Sequence, residues 1–503
     1  MRSSWVVLVF CAYFAALIGI ALVRSRRMRD MAEYALGSRR LSAFTAGLSA
    51  GSSATSAWTM LSLPALVYIS GVAAIWIPIF TASGIWLSWV VLARRLRRYT
   101  IEANDVLTLP EFFEVRFGDT TGILRTLTSL VTVLFVIFWL CSGFVGGSKL
   151  LETVFGIEAA TGVVLTFAAI ASYTLVGGFL AVSRTDVFQA LLMLTSLLVV
   201  TITLFVSTEN PFSGTGGSSA GFLGPFAGGG VSVALVFVFS TAGWAFGAFG
   251  SQRTLQRFMA LEREDKHVQG RNISTLWLVA VLMLAIGVGL LAPAALSEAG
   301  LTTAMDDPER VYLVVSEVFF HPIVTGVLLT AVIAAVMSTA DSQLLLASAI
   351  ATGDMPFVRR FADTVTGNAR VTLSRLLLLV IGLIAVVVSV SYQESVFDLV
   401  SYAWGGMGAA LGPVTILALY WRRFNSWGAG ASILTGTAVA SVWGYLEGGP
   451  SGIWDIQPAS PGFLIAMLVA AVVCVLTPQP SREVVELFDR VNSDRGASRA
   501  PSQ

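Results

Sequence analysis

Five consecutive residues, Ser338-Thr339-Ala340-Asp341-Ser342, place three hydroxyls and a carboxyl group in a largely apolar stretch running from Val311 to Ile350. Ser338 and Ser342 are four apart and Asp341 is three from Ser338, so on a helix these side chains share one face, with Thr339 at its edge. Such a face does not belong against lipid. Serines and threonines alone would mean helix packing, because they bond back to the preceding turn and let neighbouring helices approach. The acid changes that balance, since an intramembrane carboxylate is costly and marks an ion or proton path. Sodium is a hard cation that takes several oxygen ligands, and hydroxyls together with freed backbone carbonyls supply them without a formal charge on each.

A source of freed carbonyls lies in the second apolar segment. Ser49-Ala50-Gly51-Ser52-Ser53-Ala54-Thr55-Ser56-Ala57-Trp58 is small, rich in hydroxyls and poor in helix formers. Unpaired backbone groups cost several kcal/mol each in hydrocarbon, so an unwound stretch survives there only where protein buries it or it lines a cavity. A broken membrane helix is therefore a binding-site candidate. Five segments further on, Thr241 to Ser251 (TAGWAFGAFGS) carries a second, glycine-rich interruption. Two interrupted spans at matching places in two five-helix halves are the mark of an inverted repeat. Asp186, near the start of the sixth segment, serves equally as a helix cap or an ion ligand. Trp244 is better placed for ligand contact than most tryptophans because glycines flank the break. Arg39 belongs by default to a cluster of positive charge with Arg40.

The elements that hold these groups are membrane helices. Of 503 residues, 55% are hydrophobic and 12% charged, and the mean hydropathy is +0.79, which excludes a soluble globular protein. Apolar runs near 4–23, 43–70, 74–93, 122–148, 159–181, 187–207, 230–252, 273–296, 311–350, 371–391, 397–421, 428–446 and 460–477 predict an all-α polytopic protein of about thirteen spans. The 311–350 run is long enough to hide two. Arginines gather in alternate loops, at Arg24 to Arg29, Arg94 to Arg98, Arg253 to Arg271, Arg359 to Arg375 and Arg422 to Arg423, while the opposite side has Arg2, Lys149 and Arg310. The positive-inside rule then puts the N-terminus outside and the C-terminus in the cytoplasm of an inner (plasma) membrane.

The expected organisation is an accessory first helix and loop (1–40), a first repeat (41–208), a second repeat (229–423), accessory spans (424–479) and a disordered tail (480–503), with an extracellular loop over 211–230. The first segment reads as a retained helix, since it lacks a small-residue cleavage site and arginines follow it. Cys11, Cys141 and Cys474 lie within spans, and His267 and His321 have no partner nearby, so neither a disulfide framework nor histidine catalysis is expected. The chain shows no phosphate-binding loop, GxSxG or HExxH pattern, and an enzyme is not expected.

The chain resembles the sodium:solute symporter family nearly end to end, through Tyr34-Ala35-Leu36-Gly37-Ser38-Arg39, Leu107-Thr108-Leu109-Pro110 with Arg116-Phe117, Gly177-Gly178-Phe179-Leu180-Ala181-Val182-Ser183, Gly243-Trp244, Arg257-Phe258-Met259-Ala260, Ala335-Val336-Met337-Ser338-Thr339 and Val400-Ser401-Tyr402-Ala403-Trp404. The resemblance is strongest to its proline-carrying members. It implies a LeuT-like 5+5 inverted repeat and uptake of a small solute, proline or a related amino acid, driven by Na+. It further implies that Ser52, Thr55 and Ala335 give backbone oxygens, and Ser338 and Thr339 hydroxyls, to sodium. By the same likeness Ser56 and Trp244 belong to the substrate pocket, Asp186 to sodium coupling and Arg39 to an inner gate. The departures are specific. Proline symporters carry an aspartate where this chain has Ala54, and Asp341 is expected to restore that charge, forming with Asp186 and Ser342 a second cation site. Trp139, Ala248 and Gln252 replace two tyrosines and a proline of the proline symporter pattern, predicting a larger or more polar substrate. The expected partners are the solute and the lipid bilayer, with no nucleic acid and no obligate protein. Proton coupling, another small solute, or a transporter-like sensor remain as alternatives.

Overall fold

The computed structural model describes residues 2–24, 31–175, 178–211, 231–301, 305–365, 368–392, 395–446 and 450–493. Arg26, Arg27, Arg29, Gly177, the body of the expected 211–230 loop and residues 494–503 lie outside the described residues. Within them no strand forms, and the one isolated bridge joins Leu41 to Leu261. Helix occupies the segments that hydropathy marks as spans, as it must where only intrahelical bonds can satisfy the backbone. By length and apolarity eight described helices can cross a membrane, or nine with a bent pair. One of the eight, Trp58–Glu102, is a 45-residue run that turns at Gly71, where φ is 62°. The Ala159–Thr174 helix is a shorter apolar one.

The second span breaks where its sequence loses helix formers. Its first half, Ala43–Ala54, is capped by Ser42, whose side chain accepts from Thr45 N. Thr55 is extended (φ −107°, ψ 139°), and the helix resumes as a wide turn, Trp58–Ser62, before Leu63–Ser70. Ser52 Oγ donates to Ser49 O at 3.3 Å and Thr55 Oγ1 to Ser52 O at 3.0 Å. These local bonds compete with the helical ladder and end it there.

The seventh span breaks as well, though at one residue and not along the glycine-rich stretch. The expected interruption is present, but only at its last residue: the helix runs over Val231–Gly250, breaks at the extended Ser251 with a bend of 41° and continues as Gln252–Ala260. The glycines of that stretch serve close packing. A Cβ at Gly247 would collide with the Trp404 ring, one at Gly250 with the Met407 carbonyl, and one at Gly243 with the Gln457 side chain, which is the small-residue approach common between membrane helices.

The long ninth segment resolves into a short helix, Val311–Phe319, and one 33-residue helix, Pro322–Asp354, with His321 in extended conformation between them. The terminal segment needs a correction. Residues expected to be disordered form a helix, Arg482–Asn492, whose Val484, Phe488 and Val491 are buried. Phe488 lies 5.0 Å from the Arg116 guanidinium, Arg422 pairs with Asp489 at 2.7 Å, and Arg95 donates to Asn492. A buried apolar stripe with charged anchors repays the ordering entropy that a polar tail could not.

The arginine-bearing loops interlock at one end of the bundle. Arg94 and Arg98 each reach Glu264 at 2.6 Å, and Arg125 joins Asp354 and Glu114. Burial pushes the Glu264 carboxyl up, but the two arginines outweigh it and hold the group below the usual range. At the other end Lys149 pairs with Asp307 and Glu309, and Arg310 with Glu152.

Candidate functional site

The break in the second span and the polar face of the ninth meet. Thr339 Oγ1 donates to the Thr55 carbonyl at 2.9 Å, across 284 positions of sequence. The preceding residue, Ser338, donates through Oγ to Ala335 O, one turn back, at 3.1 Å. Ser52, Thr55, Ala335, Ser338 and Thr339 are all buried, none more than 2% exposed. Neutral oxygens from two helices thus gather where one helix has released its carbonyls, the donor set a hard monovalent cation prefers.

Asp186 is no cap. The sixth helix starts at Phe179, behind Gly178 and without a side-chain cap, so Ser183 and Asp186 lie inside it. Ser49 Oγ donates to Asp186 Oδ2 at 2.6 Å, and Arg257 Nη2 stands 3.4 Å from the same oxygen. Arg257 also donates to Ser49 Oγ at 3.1 Å and to Ser342 Oγ at 2.7 Å. Asp186 and Arg257 are both fully buried. Asp186 and Ser342 are therefore brought together, but around a guanidinium that the protein itself supplies. Asp341 stands apart from this pair. Its Oδ1 accepts from the Ser342 amide, its Oδ2 has no hydrogen-bond partner, and among the described residues no cation lies within ion-pair distance.

A chain of aromatic rings links the residues expected at the solute pocket. Trp58, after the break, packs on Trp244 at 5.2 Å, and Trp244 stacks on Phe397 at 5.5 Å. Trp404 Nε1 donates to Trp244 O at 2.8 Å, while the Trp404 ring lies 5.6 Å from Trp139. Trp244, Ala248 and Gln252 repeat every fourth residue along one side of the seventh span, and all three are buried. Gln252 Nε2 donates to Thr132 Oγ1, leaving Oε1 without a partner. Ser56 Oγ is likewise buried and unpartnered. Trp139 carries the guanidinium of Arg253 over its face at 3.9 Å.

Arg39 lies at the arginine-rich end. It reaches Asp105 at 2.6 Å, Met259 O at 2.7 Å and Val106 O at 2.8 Å, tying the entry of the second span to the loop after the third and to the end of the seventh. A counterpart at the opposite end escaped the sequence reading. Glu309 accepts from Ser62 Oγ and Lys149 Nζ, each at 2.6 Å, and from the amides of Val396 and Phe397. Nearby, a cavity of about 470 Å³ is lined by Lys149, Glu152, Asp307 and Arg310, and none of the expected ion or solute residues borders it. Arg253 and Arg257 were also missed, being read as loop charge. The available signal was their position, four apart and directly after an interrupted span.

Comparison with known proteins agrees with this architecture. The model of the sodium:solute symporter family matches residues 34–436. The osmoregulated proline transporter OpuE of Bacillus subtilis (strain 168) is 33% identical over 481 residues, 95% of this chain and 96% of that protein. A sodium/proline symporter of Escherichia coli (strain K12) is 35% identical over 494 residues, covering 97% and 96%. A solved Na+-coupled sialic acid symporter, substrate-bound and outward-open, superposes with a TM-score of 0.78 at 18% identity, over 95% of this chain and 99% of that one. The all-α polytopic architecture is accordingly the LeuT-like fold. On the family match and the near full-length identity to its proline-carrying relatives, this chain belongs to the sodium:solute symporter family.

Proposed function

We propose that this protein is a secondary active symporter that draws proline or a related small amino acid into the cell with sodium, through repeats spanning 41–208 and 229–423. In this reading it sits in the plasma membrane with the N-terminus outside and the C-terminus in the cytoplasm. The observation that carries the proposal is the Thr339 hydroxyl on the Thr55 carbonyl at 2.9 Å, where the broken span meets a hydroxyl-bearing one. Relatives named for proline transport support the solute.

Sodium would take the oxygens of Ser52, Thr55, Ala335, Ser338 and Thr339 and hold the break in one geometry. Ser56 and Trp58 follow that break directly, so the ion sets the position of the groups that face the solute. Ion and solute then favour the same conformation, and each raises the affinity for the other by the same factor. One sodium moving inward gains roughly 2.3 kcal/mol per 100 mV, enough on its own for an accumulation on the order of fiftyfold.

Uptake of labelled proline into proteoliposomes tests this directly. An imposed inward sodium gradient should drive accumulation, and an imposed proton gradient without sodium should not. Proton coupling is the second reading, and Asp341 gives it specific support, because a buried carboxyl with one oxygen left without a partner can carry a proton; accumulation driven by protons alone would select it. If Asp341 instead serves a cation, Asp341→Asn should raise the sodium concentration for half-maximal uptake several-fold. Unchanged sodium affinity in that variant would remove Asp341 from the ion path.

A further inference from the structure

Among the described residues Arg253 leaves the most buried side-chain atoms without a partner. It is 1% exposed, and its Nε, Nη1 and Nη2 all lack a hydrogen-bond partner. Among the described residues no carboxylate lies within ion-pair distance of it, whereas Arg257, one turn on, has Asp186. The one neighbour it engages is the face of Trp139, at 3.9 Å. Ring contact leaves the in-plane N–H fork unused, and that fork is the part of a guanidinium that matches a carboxylate. A buried charge without a counter-charge is among the most expensive features a protein can hold, and it persists where a partner completes it.

The surroundings point to what that partner is. Arg253 is the second residue of the Gln252–Ala260 helix, whose N-cap Ser251 makes no side-chain cap bond, so the positive end of the helix adds to the guanidinium. Its neighbour Gln252 leaves Oε1 free, and Trp139, Trp404 and Trp244 connect it to the break in the second span. No acid belongs to this set. Asp186 is paired with Arg257, and Asp341 lies beside Ser342 on the ninth span. Among the described residues the solute region therefore holds one uncompensated positive charge and no free carboxylate to pair with an ammonium.

We infer that Arg253 is the anchor for a carboxylate of the transported solute, and that the class of solute is small carboxylates whose amine is dispensable. This rests on the symport reading for its solute region, and it narrows that reading from amino acids in general to what their acid group alone provides. The guanidinium fork grips the two oxygens, Trp139 holds the guanidinium in plane, and Gln252 Oε1 accepts from a ring or chain donor when there is one.

The test uses the purified full-length protein in detergent at fixed sodium, with two near-isosteres of proline. Tetrahydrofuran-2-carboxylate keeps the acid and loses the amine, and prolinamide does the reverse. Proline and tetrahydrofuran-2-carboxylate should both raise the thermal unfolding midpoint, with prolinamide needing at least tenfold higher concentration. Arg253→Gln should abolish that difference, and Arg253→Lys, which keeps the charge without the fork, should retain part of it. Should Arg253→Gln fail to fold, the wild-type ligand series and Arg253→Lys decide the matter alone. Prolinamide protecting as well as the acids, no protection by any carboxylate, or an undiminished difference in Arg253→Gln overturns the inference. So does equal protection by chloride exchanged against methanesulfonate, which assigns the fork to an inorganic anion. Absence of sodium-driven proline uptake alongside carboxylate protection would sink the symport reading and leave the anchor standing, while intact uptake with prolinamide as a full ligand would do the opposite.

Discussion

Replacing Arg257 by glutamine should be the most damaging single change to the folded protein. The guanidinium is fully buried between Asp186, Ser49 and Ser342, with the acid oxygen at 3.4 Å and the two hydroxyls at 3.1 and 2.7 Å. Removing it leaves Asp186 charged, buried and without its cation, a change that costs about 3–5 kcal/mol where it has been measured in other proteins. Removing both charges avoids that penalty. Arg257→Gln should therefore melt well below the wild type and yield less folded protein, and Asp186→Asn in the same chain should recover most of the loss. Scanning fluorimetry of the wild type, both single variants and the double variant reads the coupling between the two positions. A double variant no more stable than Arg257→Gln would show that the pair is not what holds these four helices together.

A large effect of another kind is expected at the ninth span. Thr339→Ala removes the hydroxyl that reaches Thr55 O, and Ser338→Ala removes the one on Ala335 O. A lost oxygen partner in a buried polar cluster costs roughly 1–3 kcal/mol, so the half-saturating sodium concentration should rise at least about fivefold in each variant. Proline affinity at saturating sodium should change much less, since neither hydroxyl belongs to the aromatic chain. Thr339→Ser keeps the oxygen and should stay near the wild type. Uptake measured across a sodium titration separates the two constants, and sodium dependence equal to the wild type in both alanine variants would place the ion elsewhere.

These residues also show what the sequence could carry. Ser49 to Trp58 announced its break because hydroxyl side chains, unlike apolar ones, offer the backbone alternative bonds, and the structure unwinds at Thr55 and Ser56. The polar face at Ser338 to Ser342 was legible from spacing alone. The second break was legible but not its place, which is Ser251, because glycine for flexibility and glycine for close approach look identical until Gln457, Trp404 and Met407 are known to press on Gly243, Gly247 and Gly250. Arg253 and Arg257 were counted as loop charge, since their burial is decided by Trp139, Asp186 and Ser342, distant in the chain. The terminal helix had its apolar spacing at Val484, Phe488 and Val491, but the surface it covers comes from residues around Arg95 and Arg116.

The position of Arg257 bears on the electrical work of a transport cycle. A guanidinium held between Asp186 and Ser342 gives the acid a counter-charge that belongs to the protein and is not carried with the solute. With that place taken by the protein, the proposed symport has one sodium site, at Ser52, Thr55, Ala335, Ser338 and Thr339, to load with each solute. A zwitterion then moves one net charge inward and is pulled by voltage, whereas an acid without an amine moves none and is drawn by the sodium concentration ratio alone. One binding region would so concentrate two kinds of carboxylate to different limits in the same cell, set by whether the solute brings its own positive charge.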